Sequence, residues 1–124
     1  MIELKTHRSG SDADKQLRLL VVDEAGAGGA HHEYELRYRI NANSEEVAHC
    51  ISFQNGPVRE EGINGVTNEV LLAIVEDRLK SFQAGPFACR ANASALFGVR
   101  RALKALHERT QERVKRGVEG KPER

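Results

Sequence analysis

The chain has 124 residues, 40% of them hydrophobic and 30% charged, with a net charge of +1, two Cys and no Trp. That length and balance suit one compact domain with a core of its own and exclude disorder along the whole chain. The near-neutral charge and an aromatic content of 5% argue against a binder of polymeric nucleic acid.

The N-terminus, MIELKTHRSG, has no apolar run of signal-peptide length. No stretch approaches the roughly 18 apolar residues of a membrane span, so the expectation is a cytoplasmic protein that avoids the membrane. Cys50 and Cys89 lack CxxC or zinc-type spacing and read as free thiols of a reducing compartment. The sequon at Asn92-Ala93-Ser94 carries no weight without a secretion signal.

The first half reads as an antiparallel sheet of about four to five strands. Ile2, Leu4 and Thr6 alternate with charged residues and suggest an edge strand. Leu17 to Val22 is a nearly continuous apolar run, as in a central strand. Ala25 to Ala30 superficially resembles a phosphate-cradling loop, but a strand follows it and no Lys-Ser/Thr is present, so it reads as a hairpin tip. Glu33 to Ile40 alternates strictly, with Tyr34, Leu36, Tyr38 and Ile40 on one face. Val47, Ile51 and Phe53 mark a fourth strand, stopped at Asn55-Gly56-Pro57 because Pro57 has no N–H for a ladder. Turn chemistry at Arg8–Asp12, Asp23–Ala30 and Asn41–Ser44 separates the strands.

The second half switches to helical period and reads as a two-helix antiparallel hairpin. Thr67 is a candidate N-cap for a helix with Leu71, Ile74, Val75, Leu79 and Phe82 on its apolar stripe, ended at Gly85-Pro86. Asn92 is the candidate cap of a second helix that carries Leu96, Val99, Leu103, Leu106 and Thr110 and stops at Gly117. That helix spans about 24 residues, near 36 Å, and outruns the first, so its far end must be solvated or packed on another chain. Ala93, Ala95, Ala102 and Ala105 widen its small-residue surface, and Gly98 suggests a close approach. The fold class is α+β, with residues 1–63 as sheet region, 64–120 as hairpin region and 121–124 as tail.

Catalytic signals are absent: there is no HExxH, GxSxG or Walker lysine. His7, His31, His32, His49 and His107 are scattered, and neighbours on a strand such as His31 and His32 point to opposite faces, so no metal site is expected. Glu60-Glu61 has no evident partner. No catalytic residue and no cofactor are assigned. Charge, however, is uneven. Between Gly98 and Arg124 there are nine Lys/Arg against four acids, a net of +5 that leaves −4 for the other 97 residues. Alternating Arg and Glu on a helix ordinarily serve only to solvate it, but Arg109, Arg113 and Arg116 sit at i, i+4 and i+7, on one helical face. Guanidinium groups suit phosphate because they donate in a planar fork. Phe82 and Phe87 lie near the hairpin turn, and core packing is the ordinary reading of Phe82.

Three stretches are specific in combination. They are FQNGP at Phe53–Pro57 with GINGVTNE at Gly62–Glu69; FQAGPFACR at Phe82–Arg90 with Asn92; and Arg109-Thr110 with Arg113 and RGVEG at Arg116–Gly120. Together they resemble the phage Thoeris anti-defence sponge family, and the hairpin alone is similar to the related anti-CBASS sponge. The resemblance covers Phe53 to Gly120; the N-terminal sheet matches in pattern only. It implies a homo-oligomer, a dimer that often assembles further to hexamers, with pockets between protomers. Such pockets sequester nucleotide second messengers, glycocyclic ADP-ribose or cyclic di- and trinucleotides, without cleaving them, in the cytoplasm of the bacterial host. On this chain the resemblance points to Phe82, Asn92 and Arg109 for base and phosphate contacts, with Thr110, Arg113, Arg116 and Gly117 from the same motifs. Ala91 departs from the family's usual Glu, and Lys121-Pro122 replaces a Thr-His-like ending.

The alternatives are a structural or virion-associated oligomer whose Arg-rich helix only packs on neighbours, a small nucleic-acid-binding protein, and a nucleotide-cleaving enzyme. Co-purification from a nucleotide mixture separates the first from a sponge. The second requires a steep salt dependence, and the third a catalytic set that the sequence lacks.

Overall fold

The computed structural model describes residues 1–122; residues 123 and 124, the end of the expected 121–124 tail, lie outside the described residues. The fold is α+β, a four-stranded antiparallel sheet followed by helices that end in a helical pair. The chain divides into two units. The first is Met1–Gly56 with Glu61–Gly65; the second is Pro57–Glu60 with the residues from Val66 onward.

The first unit holds the sheet, in the order β1 (Ile2–Leu4), β2 (Arg18–Val21), β3 (Glu33–Arg39), β4 (Glu46–Ser52). β1 is an edge strand, as its alternation predicts, although Thr6 falls outside it. β2 lies between β1 and β3, in registers that pair Leu19 with Leu4 and Leu36. Its adjacent residues Leu20 and Val21 are 3% and 4% exposed. Neighbours on a strand face opposite ways, so burying both requires cover on both faces, which is why the run is continuously apolar. β3 forms where the alternation predicts a strand, but Glu33 to Tyr38 are all partly covered and do not alternate between buried and exposed, and Ile40 lies beyond the strand and is 75% exposed. The turn starting there takes precedence: Ser44 N–H donates to the Asn41 carbonyl at 3.1 Å and Asn43 N–H to Asn41 Oδ1 at 2.9 Å.

The β2–β3 connection is a tight tip in which Gly26 N–H donates to the Ala30 carbonyl at 2.7 Å. Gly28 and Gly29 adopt φ of 70° and 78°, which explains the glycines without a phosphate. Beside it, His32 N–H donates to Asp23 Oδ2 at 2.9 Å. Burial raises the Asp23 pKa, but the backbone N–H donors of His32 and Glu33 with nearby His31 outweigh it and hold the carboxyl below its ordinary value.

Two one-turn helices were not foreseen. α1 (Asp12–Gln16) occupies the β1–β2 connection, where a turn was expected from Arg8 to Asp12. Ser11 Oγ caps it by accepting from Asp14 N–H at 3.3 Å, and the Asp14 carboxylate accepts from Ser9 Oγ–H at 2.7 Å and Ser9 N–H at 2.8 Å. α2 (Val58–Glu61) follows Pro57, whose fixed φ suits a helix start.

The FQNGP and GINGV stretches meet through their amides. Gln54 Nε2 donates to the Gly62 carbonyl at 2.8 Å, and Gln54 Oε1 accepts from Asn64 N–H at 3.0 Å. Asn64 Oδ1 accepts from Asn55 N–H and its Nδ2 donates to the Asn55 carbonyl, both at 2.8 Å. A Cβ on Gly65 would run into the Phe53 carbonyl group, so only glycine allows this approach. Tyr34 packs edge-on against Phe53 with ring centroids 5.6 Å apart.

In the second unit, α3 (Asn68–Gln83) begins at Thr67, whose Oγ1 accepts from Val70 N–H at 3.3 Å as expected. α4 (Arg90–Lys115) starts earlier than predicted. Asn92 is not its cap: Cys89 adopts the extended cap conformation and its Sγ accepts from Asn92 N–H at 3.4 Å. Asn92 therefore sits inside the first turn. The helices run antiparallel, as the Arg100 Nε–Glu76 Oε2 pair at 3.3 Å and a groove shared by Asn68, Leu71, Leu72 and Leu106 require. Leu96 and Leu103 are buried one heptad apart on α4, whereas Ile74, Val75 and Phe82 of the expected α3 stripe stay exposed. Nothing lies within 4 Å of a Cβ built on Gly98, so within this chain it marks no close approach.

Candidate functional site

α4 continues past Leu106, which faces the start of α3, by nine residues, an overhang of about 13 Å at 1.5 Å per residue. This segment carries Arg109, Thr110 and Arg113. The far end is solvated along most of its length, as expected, and the C-terminal loop covers Arg113 in its last turn. Gly117 makes that possible by adopting φ 73°. Its N–H donates to the Val114 carbonyl and the Val118 N–H to the Arg113 carbonyl, each at 3.0 Å, the paired bonds of a Schellman stop. Arg59 N–H then donates to the Gly120 carbonyl at 3.0 Å.

The three arginines share a helical face by spacing but have different surroundings. Arg109 is exposed, beside half-buried Thr110. Arg113 is 8% exposed. Its Nε donates to Glu119 Oε2 at 3.2 Å, and its Nη2 donates to the Val118 and Lys121 carbonyls at 3.0 Å each. Arg116 is exposed and forms an ion pair with Glu112 one turn back.

The remaining candidates lie at the other end of α4. Phe82, 40% exposed, closes α3 under the Arg78 guanidinium, whose Cζ is 5.6 Å from the ring centroid. Phe87, in the connection between the helices, is 73% exposed, and Asn92 is half-buried. Seventeen residues of helix separate Asn92 from Arg109, about 26 Å at 1.5 Å per residue. One chain thus brings together Phe82, Phe87 and Asn92 at the hairpin turn and Arg109, Thr110, Arg113, Arg116 and Gly117 at the overhang, but does not bring the two groups to each other.

Sequence reasoning missed Arg78 and Glu119. Arg78 was legible, being four residues before Phe82 on a helix; Glu119 was not, because its partner depends on a loop without periodicity. It also passed over a second i, i+4, i+7 row, Arg100, Lys104 and His107, which lines a groove of about 480 Å³ with Glu76 and Glu108. None of the eight candidate residues lines it, and Arg100 and Lys104 already have carboxylate partners in Glu76 and Glu108. Among the described residues, no three His, Cys, Asp or Glu side chains are placed to hold a metal ion, and no helix is long and apolar enough to cross a membrane.

A four-stranded antiparallel sheet and a helical pair whose longer member ends in a glycine-stopped, arginine-bearing turn make this an α+β protein with a C-terminal helical hairpin. A family model described as "Acb2/Tad1, hairpin domain" matches residues 45–111, and the chain belongs to that family. It is also similar to "Thoeris anti-defense 1" of Bacillus phage SBSphiJ7, 42% identical over 106 residues that span 79% of this chain and 75% of that protein.

Proposed function

We propose that this protein is an anti-defence sponge, a non-catalytic homo-oligomer that holds a nucleotide second messenger in the host cytoplasm without cleaving it. The observation that carries this reading is the separation of the candidate groups. Exposed aromatic faces stand at one end of α4 and an exposed guanidinium at the other, about 26 Å away by helix rise, too far apart for one small ligand to reach on one chain. Two copies that set the turn of one against the overhang of the other assemble a complete site. Phe82 and Phe87 then stack a base and Asn92 hydrogen-bonds it. Arg109, Thr110, Arg113, Arg116 and Gly117 form the phosphate end. The relative's anti-defence name and the shared hairpin family support the same role.

Surface area favours assembly. Two separate bodies, each of half the 13.8 kDa mass, would expose together about 8,000 Å² by the scaling for folded monomers. The chain exposes 9188 Å² and buries no large side chain below 2% exposure among its described residues. The excess, together with exposed Ile74, Val75 and Phe97, supports a protomer that packs on neighbours.

The test is ligand recovery. The protein is incubated with glycocyclic ADP-ribose or a cyclic dinucleotide, desalted and heat-denatured, and the released material is identified by mass spectrometry. The expected result is stoichiometric return of intact ligand. A linear or hydrolysed product formed at turnover points to an enzyme. Retention of neither ligand points to a structural oligomer.

A further inference from the structure

We infer that Arg113 is a positioning residue, which builds the phosphate end of the site from beneath and does not itself contact the ligand. The inference rests on the sponge reading for its functional consequence. Its structural half stands on the bonds of Arg113 alone.

A guanidinium that grips phosphate must present its fork outward. That of Arg113 is turned inward, with the residue 8% exposed and the fork donating to Glu119 Oε2, the Val118 carbonyl and the Lys121 carbonyl at 3.2, 3.0 and 3.0 Å. The residue holds the loop a second time through its backbone, since its carbonyl accepts the Val118 N–H. Side chain and main chain thus tie Val118, Glu119 and Lys121 to the last turn of α4. The other side of the loop is fixed as well. Gly120 lies at φ 78° with its carbonyl on Arg59 N–H, where a Cβ would come within 3.2 Å of Arg59 Cγ. The charge suits its place, because the carbonyl ends of a helix favour a cation and Glu119 neutralises the remainder. A phosphate bound directly to Arg113 would displace part-buried carbonyl bonds and take this donor from those carbonyls, a cost that exposed Arg109 does not carry.

Direct contact and positioning predict opposite signs for Glu119→Gln. If Arg113 bound the anion, removing the competing carboxylate would tighten binding. If Arg113 positions the loop, weakening its ion pair loosens binding, by about twofold to fivefold given that Glu119 is half-exposed. Arg113→Met and Arg113→Lys should both raise the Kd for glycocyclic ADP-ribose by about tenfold or more, since an ammonium cannot reach three acceptors set for a planar fork. Amide hydrogen exchange at Val118 in the ligand-free protein should accelerate in both. Calorimetry with glycocyclic ADP-ribose and exchange on the same full-length variants decide the matter. Tighter binding by Glu119→Gln, substantial rescue by Arg113→Lys, or an unchanged Val118 amide in Arg113→Met each overturns the inference. If the wild type retains no glycocyclic ADP-ribose, the sponge reading fails separately, and the exchange data still show whether Arg113 holds the loop.

Discussion

Two glycines of α4 and its stop give the same substitution opposite signs. Gly98 is in the helix interior, and a Cβ there meets nothing within 4 Å. Replacing it by Ala removes the conformational freedom that glycine gives the unfolded chain without introducing a clash, a gain of about 0.5–1 kcal/mol. Gly117 also has open space for a Cβ, but at φ 73°. There the cost comes from the backbone alone, about 1–2 kcal/mol for an L-residue held in the left-handed region. At about 4 °C per kcal/mol for a chain of this size, Gly98→Ala should melt about 2–4 °C above wild type and Gly117→Ala about 4–8 °C below it. The sites lie 19 residues apart, about 28 Å along the helix axis, so the double variant should show the sum of the two shifts. Thermal melts followed by far-ultraviolet circular dichroism at matched concentration measure all three. A Gly98→Ala protein that melts below wild type would refute the reasoning, because the helix face could then not be open; loss of oligomer mass in that variant would identify the obstruction as a neighbouring chain.

Arg109→Ala should weaken binding of glycocyclic ADP-ribose by about ten- to a hundredfold, the value of one charge-assisted hydrogen bond, with an unchanged circular dichroism spectrum; Arg109→Lys should recover part of it by calorimetry. Light scattering at micromolar concentration should give at least a dimer, and a monomeric mass of 13.8 kDa would contradict the assembled site. Ser9, through its hydroxyl and amide, holds the Asp14 carboxyl below its ordinary pKa. A carboxyl depressed by folding stabilises the protein above its unfolded pKa and loses that contribution as pH falls through the folded value. Asp14→Asn should therefore be less stable than wild type at neutral pH, with the gap closing below about pH 4, as denaturant titrations at several pH values will show.

Features set by local chemistry were legible in the sequence. The alternation of β3, the apolar run of β2, the Thr67 cap and the Gly117 stop each depend on a few neighbouring residues, and each has its expected place. Side-chain cooperation was not legible. α1 is one turn held by Ser9, Ser11 and Asp14, too short for any periodic signal. Asn92 is the better capping residue by type, but Cys89 takes the role because its backbone is extended where the helix begins. The site divides the same way. Helical spacing places Arg109, Arg113 and Arg116 on one face, and helix rise alone separates Asn92 from Arg109. The burial of Arg113 follows from a return of the chain after Gly117 that no period encodes.

The amide ladder beyond β4 has a chemical consequence. Asn64 precedes Gly65, the pairing in which an asparagine side chain most readily cyclises onto the next nitrogen and deamidates. Here the carboxamide is clamped at both ends by the Asn55 backbone, its oxygen on an N–H and its nitrogen on a carbonyl. Cyclisation requires that group to swing away, so the bonds that set the loop also preserve it against ageing. Should deamidation occur, the new carboxylate would place an oxygen against the Asn55 carbonyl where a donor stood. Ageing at this residue would then open the loop and add a negative charge, both detectable as an acidic species in stored protein.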